Sequence, residues 1–263
     1  MMKRIIRKAK TLIEVYYAYM VEYRAELILW VLSGSLPIIL MGIWMQAAQG
    51  GQFGLTPVDF IRYFLAVFIV RQFSTVWVIW DFEREVVEGK LSFRLLQPID
   101  PIWHHIASHV GERFARLPFS LVLVGLFFLL YPQSFWIPSL SRFLLFLLAI
   151  ALSFSLRFLI QYTFAMFAFW LERAVAIEQF WSLLYLFLSG IIAPLELFPS
   201  EVREVVLWTP FPYLIHFPAA LLIGLPVEAV RGFLTTLGWL IIFFFWNRWL
   251  WRRGLKQYSG MGA

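Results

Sequence analysis

The side chains best able to do chemistry are few, and two stand in costly places. Arg71 and Arg157 fall near the middle of long apolar runs, IRYFLAVFIVRQFSTVWVIW and FLLFLLAIALSFSLRFLIQYTFAMFAFW. If those runs cross a membrane, each guanidinium costs at least ~2.5 kcal/mol at the centre of its span. Such a charge has to face a cavity, water or a partner. No carboxylate is expected at the same depth, because Glu26, Glu172 and Glu178 fall near the inner boundary. Two uses stay open. The guanidiniums bond carbonyls, Gln72, Gln161 or a second subunit, or they meet an anionic head group on a path through the protein. Glu196, inside an apolar, proline-rich segment, joins them as a candidate gate residue on that path.

The histidines suggest a metal at first sight. Of His104, His105 and His109 only the last two are spaced i, i+4, and no glutamate completes an HExxH-like set. A solvated or docking face is the reading, and no metal is expected. His216, beside Pro218, is read as interfacial. No GxxxxGK[ST] phosphate cradle occurs. EGKLS offers Gly-Lys without the preceding glycine or the helix-opening Ser/Thr, so no nucleotide is expected on this chain. With no cysteine, thiolate ligands and cysteine nucleophiles are excluded.

The elements that must position these groups are read from composition. Of 263 residues 61% are hydrophobic and 14% charged, with 28 Phe and 13 Trp. A soluble domain is about 45–50% apolar. Unbroken apolar runs of about 20 residues indicate membrane helices, where a barrel would give shorter alternating segments. Six spans are expected: 26–46 with a kink at Pro37, 59–80 opened by Thr56-Pro57-Val58-Asp59, 117–131, 142–170, 178–193 and 230–251. Residues 1–25 read as a basic amphipathic helix on the cytoplasmic membrane surface, with Leu12, Ile13, Tyr16 and Tyr17 on its apolar face. Residues 194–228 carry five prolines between Pro194 and Pro218. They are too broken to span and too apolar for an ordinary loop, so re-entrant or interfacial helices at the outer face are expected, one of them SEVREVV with Ser200 as its N-cap. The tail RRGLKQYSGMGA reads as frayed. Trp and Tyr at span ends fit an aromatic belt.

Charge placement tests the layout. Six Lys/Arg precede the first span, five lie in 81–117, one is Arg173 and four lie near the C-terminus, all on one side. Arg142, Arg203 and Arg231 lie on the other. By the positive-inside rule both termini are then cytoplasmic, in an inner or plasma membrane. The net charge of +6 is therefore a topology signal rather than a nucleic-acid one. The cytoplasmic stretch 81–116 is the only long polar segment between spans. A chain this apolar keeps such a stretch for a partner outside the bilayer. Arg84, Glu85, Glu88, Lys90, Arg94 and Asp100 offer the mixed charge of a reversible interface. Gly89 frees the backbone for a turn, Pro98 and Pro101 bracket another, and Pro101 can start a helix.

Three stretches resemble ABC-2 type permeases, the membrane subunits of ABC exporters, and in particular a poorly characterised bacterial subfamily. They are YRAELILWVLSGSLPIILMGIW, the Gly-x-Leu…Leu-Leu-x-Pro pattern of EGKLSFRLLQPIDP (Gly89, Leu91, Leu95, Pro98), and LSGIIAPLELFPSEVREVVLWTPFPYLIHFPAALLIG. The resemblance implies one all-α transmembrane domain over 1–263 and a coupling helix in the 81–116 loop. It also implies two copies of a separate ATPase that carries ATP and Mg, and a second permease chain, with a heterodimer favoured over a homodimer. Export of a hydrophobic or lipid-like compound is the expectation. The competing class is a membrane-embedded enzyme acting on a lipid, which needs an acidic or histidine cluster at one membrane face. The acids here are scattered.

Overall fold

The computed structural model describes residues 2–51 and 54–258, with the side chains of 2–5 and 50 excepted. Expectations for Lys3, Arg4 and the tail from Ser259 therefore lie outside the described residues. Among these the fold is all-helical, without strands. An amphipathic helix α1 (Met2–Glu22) leads into α2 (Arg24–Ser33) and α3 (Leu36–Ala47). These two form one apolar stretch interrupted at Gly34–Ser35, just before Pro37. Helices α4 (Pro57–Ser74) and α5 (Val78–Val87) form a second, also broken, and a short α6 (Leu91–Leu95) follows. The long α7 (Ile102–Leu130) and α8 (Leu140–Ala165) come next, then α9 (Val175–Leu188), α10 (Ser200–Val206), α11 (His216–Ile223) and α12 (Ala229–Gln257).

Among the described residues five helical stretches are long and apolar enough to cross a membrane: 24–47, 57–87, 102–130, 140–169 and 229–257. The segment expected as a fifth of six spans is α9, only 14 residues. At 1.5 Å per residue it reaches about 21 Å, short of a ~30 Å hydrocarbon core.

The stretch 57–87 is the hub. It is 67% buried over its apolar window, against at most 44% for any other. Its start is fixed by a reciprocal cap. Thr56 Oγ1 accepts from the Asp59 N–H (3.2 Å) and Asp59 Oδ2 accepts from the Thr56 N–H (2.9 Å). Phe60, Tyr63, Phe64 and Phe68 are fully enclosed by α3, α8 and α11. Where apolar surface gains little by leaving lipid, such tight packing is what holds helices together.

Helix α7 runs without interruption from the polar stretch into the apolar one, with Pro118 inside it. The polar segment 81–116 is therefore the end of α5, a connector, and the first half of α7. Helix α1 lies against that first half. The α-carbon of Gly111 faces the α1 backbone so closely that a Cβ would sit 2.9 Å from the Tyr17 nitrogen. Residues 194–228 form short helices, and 210–222 is buried throughout. The cap of α10 is Pro199, with Ser200 already in the first turn and no side-chain bond, so the expected Ser200 N-cap is corrected.

Candidate functional site

The connector between α5 and α7 is a braced projection. Gly89 takes a left-handed φ of 72°, which reverses the chain after α5. Leu91 is fully buried and anchors α6, whereas Phe93 and Leu96 stand 71% and 84% exposed at its tip. The charges the sequence offers for an interface divide. Arg84, Glu88 and Lys90 are exposed, with Lys90 close to Glu88 and Arg84 bonded to Asp81 (3.0 Å). Arg94 and Glu85 turn inward and pair (3.0 Å), and Arg94 Nη1 also donates to the Tyr16 hydroxyl (3.1 Å) on α1. Tyr16 in turn bonds His104 Nδ1 (3.2 Å), and Glu85 approaches His105 Nε2 (3.4 Å). Asp100 caps α7 through the Ile102 N–H (3.0 Å) and pairs with Arg248 on α12 (3.2 Å). Ser92 meets Tyr258 (3.2 Å). Leu95 and Pro98 are exposed. The projection is thus locked to α1, α7 and α12 by polar bonds, and its free end is apolar. Sequence reading missed Phe93 and Leu96. Their signal was an apolar i, i+3 pair at the end of α6; Leu91, counted with the partner-binding residues from the sequence, is instead buried as the anchor of that helix.

The three histidines are all buried, which corrects the expected solvated face. His109 has a separate task. Between α4 and α5 the chain is extended at Thr75 (ψ 135°), so Phe73 and Thr75 carbonyls and the Trp77 N–H leave the helical ladder. Arg113 on α7 donates to the carbonyls of Phe73 and Thr75 and to that of His109. His109 Nε2 accepts from the Trp77 N–H (2.9 Å), while its Nδ1 meets the His105 carbonyl (2.8 Å). Those two bonds require the neutral ring with its proton on Nδ1. Backbone groups cannot stay unpaired at membrane depth, and here one arginine and one histidine pair three of the groups the break frees.

Arg157 finds a carboxylate after all. Glu178 on α9 is fully buried 3.5 Å from Nη2, and it accepts from Gln161 (2.8 Å) and Ser182 (3.2 Å). The Arg157 guanidinium also lies 3.9 Å over the Tyr185 ring. Arg71 lies within electrostatic reach of Tyr185 and Arg157, and its Nη1 is buried without a partner. Glu178 thus partners Arg157, and Arg71 forms no ion pair among the described residues. Gln72 donates instead to the Val31 carbonyl, at 3.5 Å.

Glu196 is half-buried beside a cavity of about 120 Å³ that also exposes His216, Arg203 and Arg231. His216, expected at an interface, is buried. Tyr63 donates to the Gly190 carbonyl (2.7 Å), so its oxygen accepts from His216 Nδ1 (3.2 Å). The other ring nitrogen then faces Glu196 Oε1 at 3.5 Å, a contact that is attractive only with a proton between them. Burial lowers the His216 pKa, opposed by the Glu196 charge.

Long apolar helices with charged side chains buried among them define a multi-pass membrane protein. The chain is a member of the ABC-2 family of transporter proteins, whose family model matches residues 40–262. It is a membrane component of such a transporter and implies an ATPase partner. Among curated proteins, none matches the chain.

Proposed function

We propose that this chain is the permease half of an ATP-driven exporter. A separate ATPase docks on the connector 88–101 and drives a hydrophobic or lipid-like substrate across the membrane. The observation that carries the reading is the apolar tip, Phe93 and Leu96, held out on a projection braced from within by Glu85, Arg94 and Asp100. An exposed Phe on a rigid mount is the pattern of a knob that fills a pocket on a partner. Motion of that knob passes into α7 and α1 through Arg94, Glu85 and Tyr16, and α7 carries the residues that brace the broken span.

In this reading both termini and the connector are cytoplasmic. A sixth crossing is made by α9 with the residues after it, and 194–228 is a re-entrant hairpin at the outer face. Two permease chains, of different kinds by preference, pair above two ATPase copies that hold ATP and Mg. The substrate path is proposed to pass Arg71, whose unpartnered Nη1 is free for an anionic group, with Arg157 beside it and Glu196 near the outer mouth.

The test is a mild-detergent pull-down of the tagged chain from its native membrane, wild type against Phe93→Asp with Leu96→Asp. An ATPase that accompanies the wild type and is lost from the variant, while the variant keeps its unfolding temperature, supports the reading. Equal recovery with both, or no ATPase where other membrane complexes survive, sinks it.

A further inference from the structure

Tyr19 and Tyr23 near the end of α1, Glu26 and Trp30 on α2, Trp77 and Trp80 beside the break, and Asp81 on α5 surround one concavity of about 660 Å³. Its far wall is α7, with His109 and Glu112. The tryptophans are not stacked. Trp30 and Trp77 lie 4.9 Å apart at 56°, and Trp77 and Trp80 5.9 Å apart at 59°. Inclined indoles do not cover one another's faces as stacked ones would, and all three line the same volume. A belt of interfacial aromatics spreads around a protein. These converge on one hollow and are interleaved with acids.

Charge decides the occupant. Three carboxylates line the hollow against one cation, Arg84, which is already bonded to Asp81. Glu112 is paired with Arg116, and Glu26 makes no ion pair among the described residues. His109 is held as the neutral ring by its two hydrogen bonds. An anion here meets net negative charge, and a plain hydrocarbon chain strips water from the carboxylates without replacing it. A cation whose own hydration is weak meets neither cost, and aromatic faces attract such ions most strongly when desolvated. The volume is that of a ligand site and takes a substituted ammonium with the first part of a tail.

We infer that this hollow is a binding site for a quaternary or substituted ammonium head group, entered from the membrane edge where α1, α2, α5 and α7 meet. The occupant lies on the face of Trp77, whose N–H is the group that His109 holds at the break of the central span. Filling the site therefore loads the hinge directly. Binding itself does not depend on an ATPase; the site's role as the loading point for cargo rests on the permease reading. The test below contains no ATPase, so the failure of one is told apart from the failure of the other.

The probe is choline, measured by saturation-transfer NMR on the full chain in phosphatidylglycerol nanodiscs. Its neutral isostere 3,3-dimethylbutan-1-ol and empty nanodiscs serve as references. Saturable choline binding at least about tenfold tighter than the isostere is expected, as a cation–aromatic site gives when partly desolvated. Glu26→Gln and Trp30→Leu, both on exposed side chains, are each expected to weaken it about fivefold, while the isostere signal stays unchanged. Equal binding of the isostere, choline signal no greater than on empty discs, or no effect of either variant overturns the site. Adding phosphatidylcholine to the discs separates the sources. Displacement of choline identifies a lipid head group as the ligand, and retention of choline identifies a soluble ammonium compound.

Discussion

The brace across the broken span makes a sharp prediction for Arg113→Leu. The substitution removes donors from two carbonyls, those of Phe73 and Thr75, that the break has taken out of the helical ladder. A hydrogen bond to a charged group contributes about 1.5–3 kcal/mol, so two amount to roughly 3–6 kcal/mol. The guanidinium also lies 4.1 Å over the Phe154 ring, a smaller favourable contact. Against this, leucine no longer places a charge among helices, which returns part of the loss. A net local destabilisation of about 3 kcal/mol is expected, which is about a hundredfold in an opening equilibrium. The assay is amide hydrogen exchange in detergent micelles, read at Trp77 and Val78 against the remote amides of α12. Exchange at the break should accelerate by about two orders of magnitude, with α12 unchanged. Arg113→Lys keeps the charge but not the fork, and is expected to fall between. Unchanged exchange at Trp77 in Arg113→Leu would refute the claim that this residue holds the break.

Three further substitutions follow from the same geometry. Gly190 sits at φ 90°, and a Cβ there meets the Tyr63 hydroxyl and His216 Cβ (2.8 Å), so Gly190→Ala should lower the thermal unfolding midpoint by several degrees, equivalent to a loss of ~1–3 kcal/mol. Arg157→Leu leaves Glu178 buried and unpaired at a cost of about 3–5 kcal/mol, whereas Arg157→Leu with Glu178→Leu should recover most of it; a double-mutant cycle in unfolding free energy without positive coupling contradicts the pair. Tyr16→Phe cuts the bonds to Arg94 and His104 at about 1–2 kcal/mol, and should loosen α1 from α7, seen as faster protease cleavage near residue 20; cleavage at the wild-type rate counts against the relay.

Much of the layout was legible because hydropathy reports span length directly. The runs at 142–170 and 230–251 coincide with helices, the Thr56–Asp59 start is a reciprocal cap, and Gly89 and Pro101 mark the turn and helix start that their backbone chemistry demands. What periodicity does not report is which apolar face meets protein. Glu178 looked like a boundary residue because depth was counted along one helix; α9 is short and its first turn packs against Arg157 and Gln161. The break at Thr75 was hidden because Thr, Val and Trp are ordinary residues in an apolar run. Its cause is a tertiary one, the donors of Arg113 and the acceptor nitrogen of His109 some 35 residues onward. The histidines looked solvated for the same reason: a polar sequence says nothing about whether α1 folds over it.

The claim that most needs testing is that the tip of the connector touches an ATPase in the membrane. A photo-crosslinking phenylalanine analogue at position 93, in a chain expressed in its native membrane, captures whatever lies within a side chain's length. The account predicts a single dominant protein adduct that carries a GxxxxGK[ST] motif on mass spectrometry, with no adduct from the same probe at exposed Leu129 on the far end of α7. Adducts at 93 to lipid alone, or to proteins without a nucleotide-binding motif, contradict it.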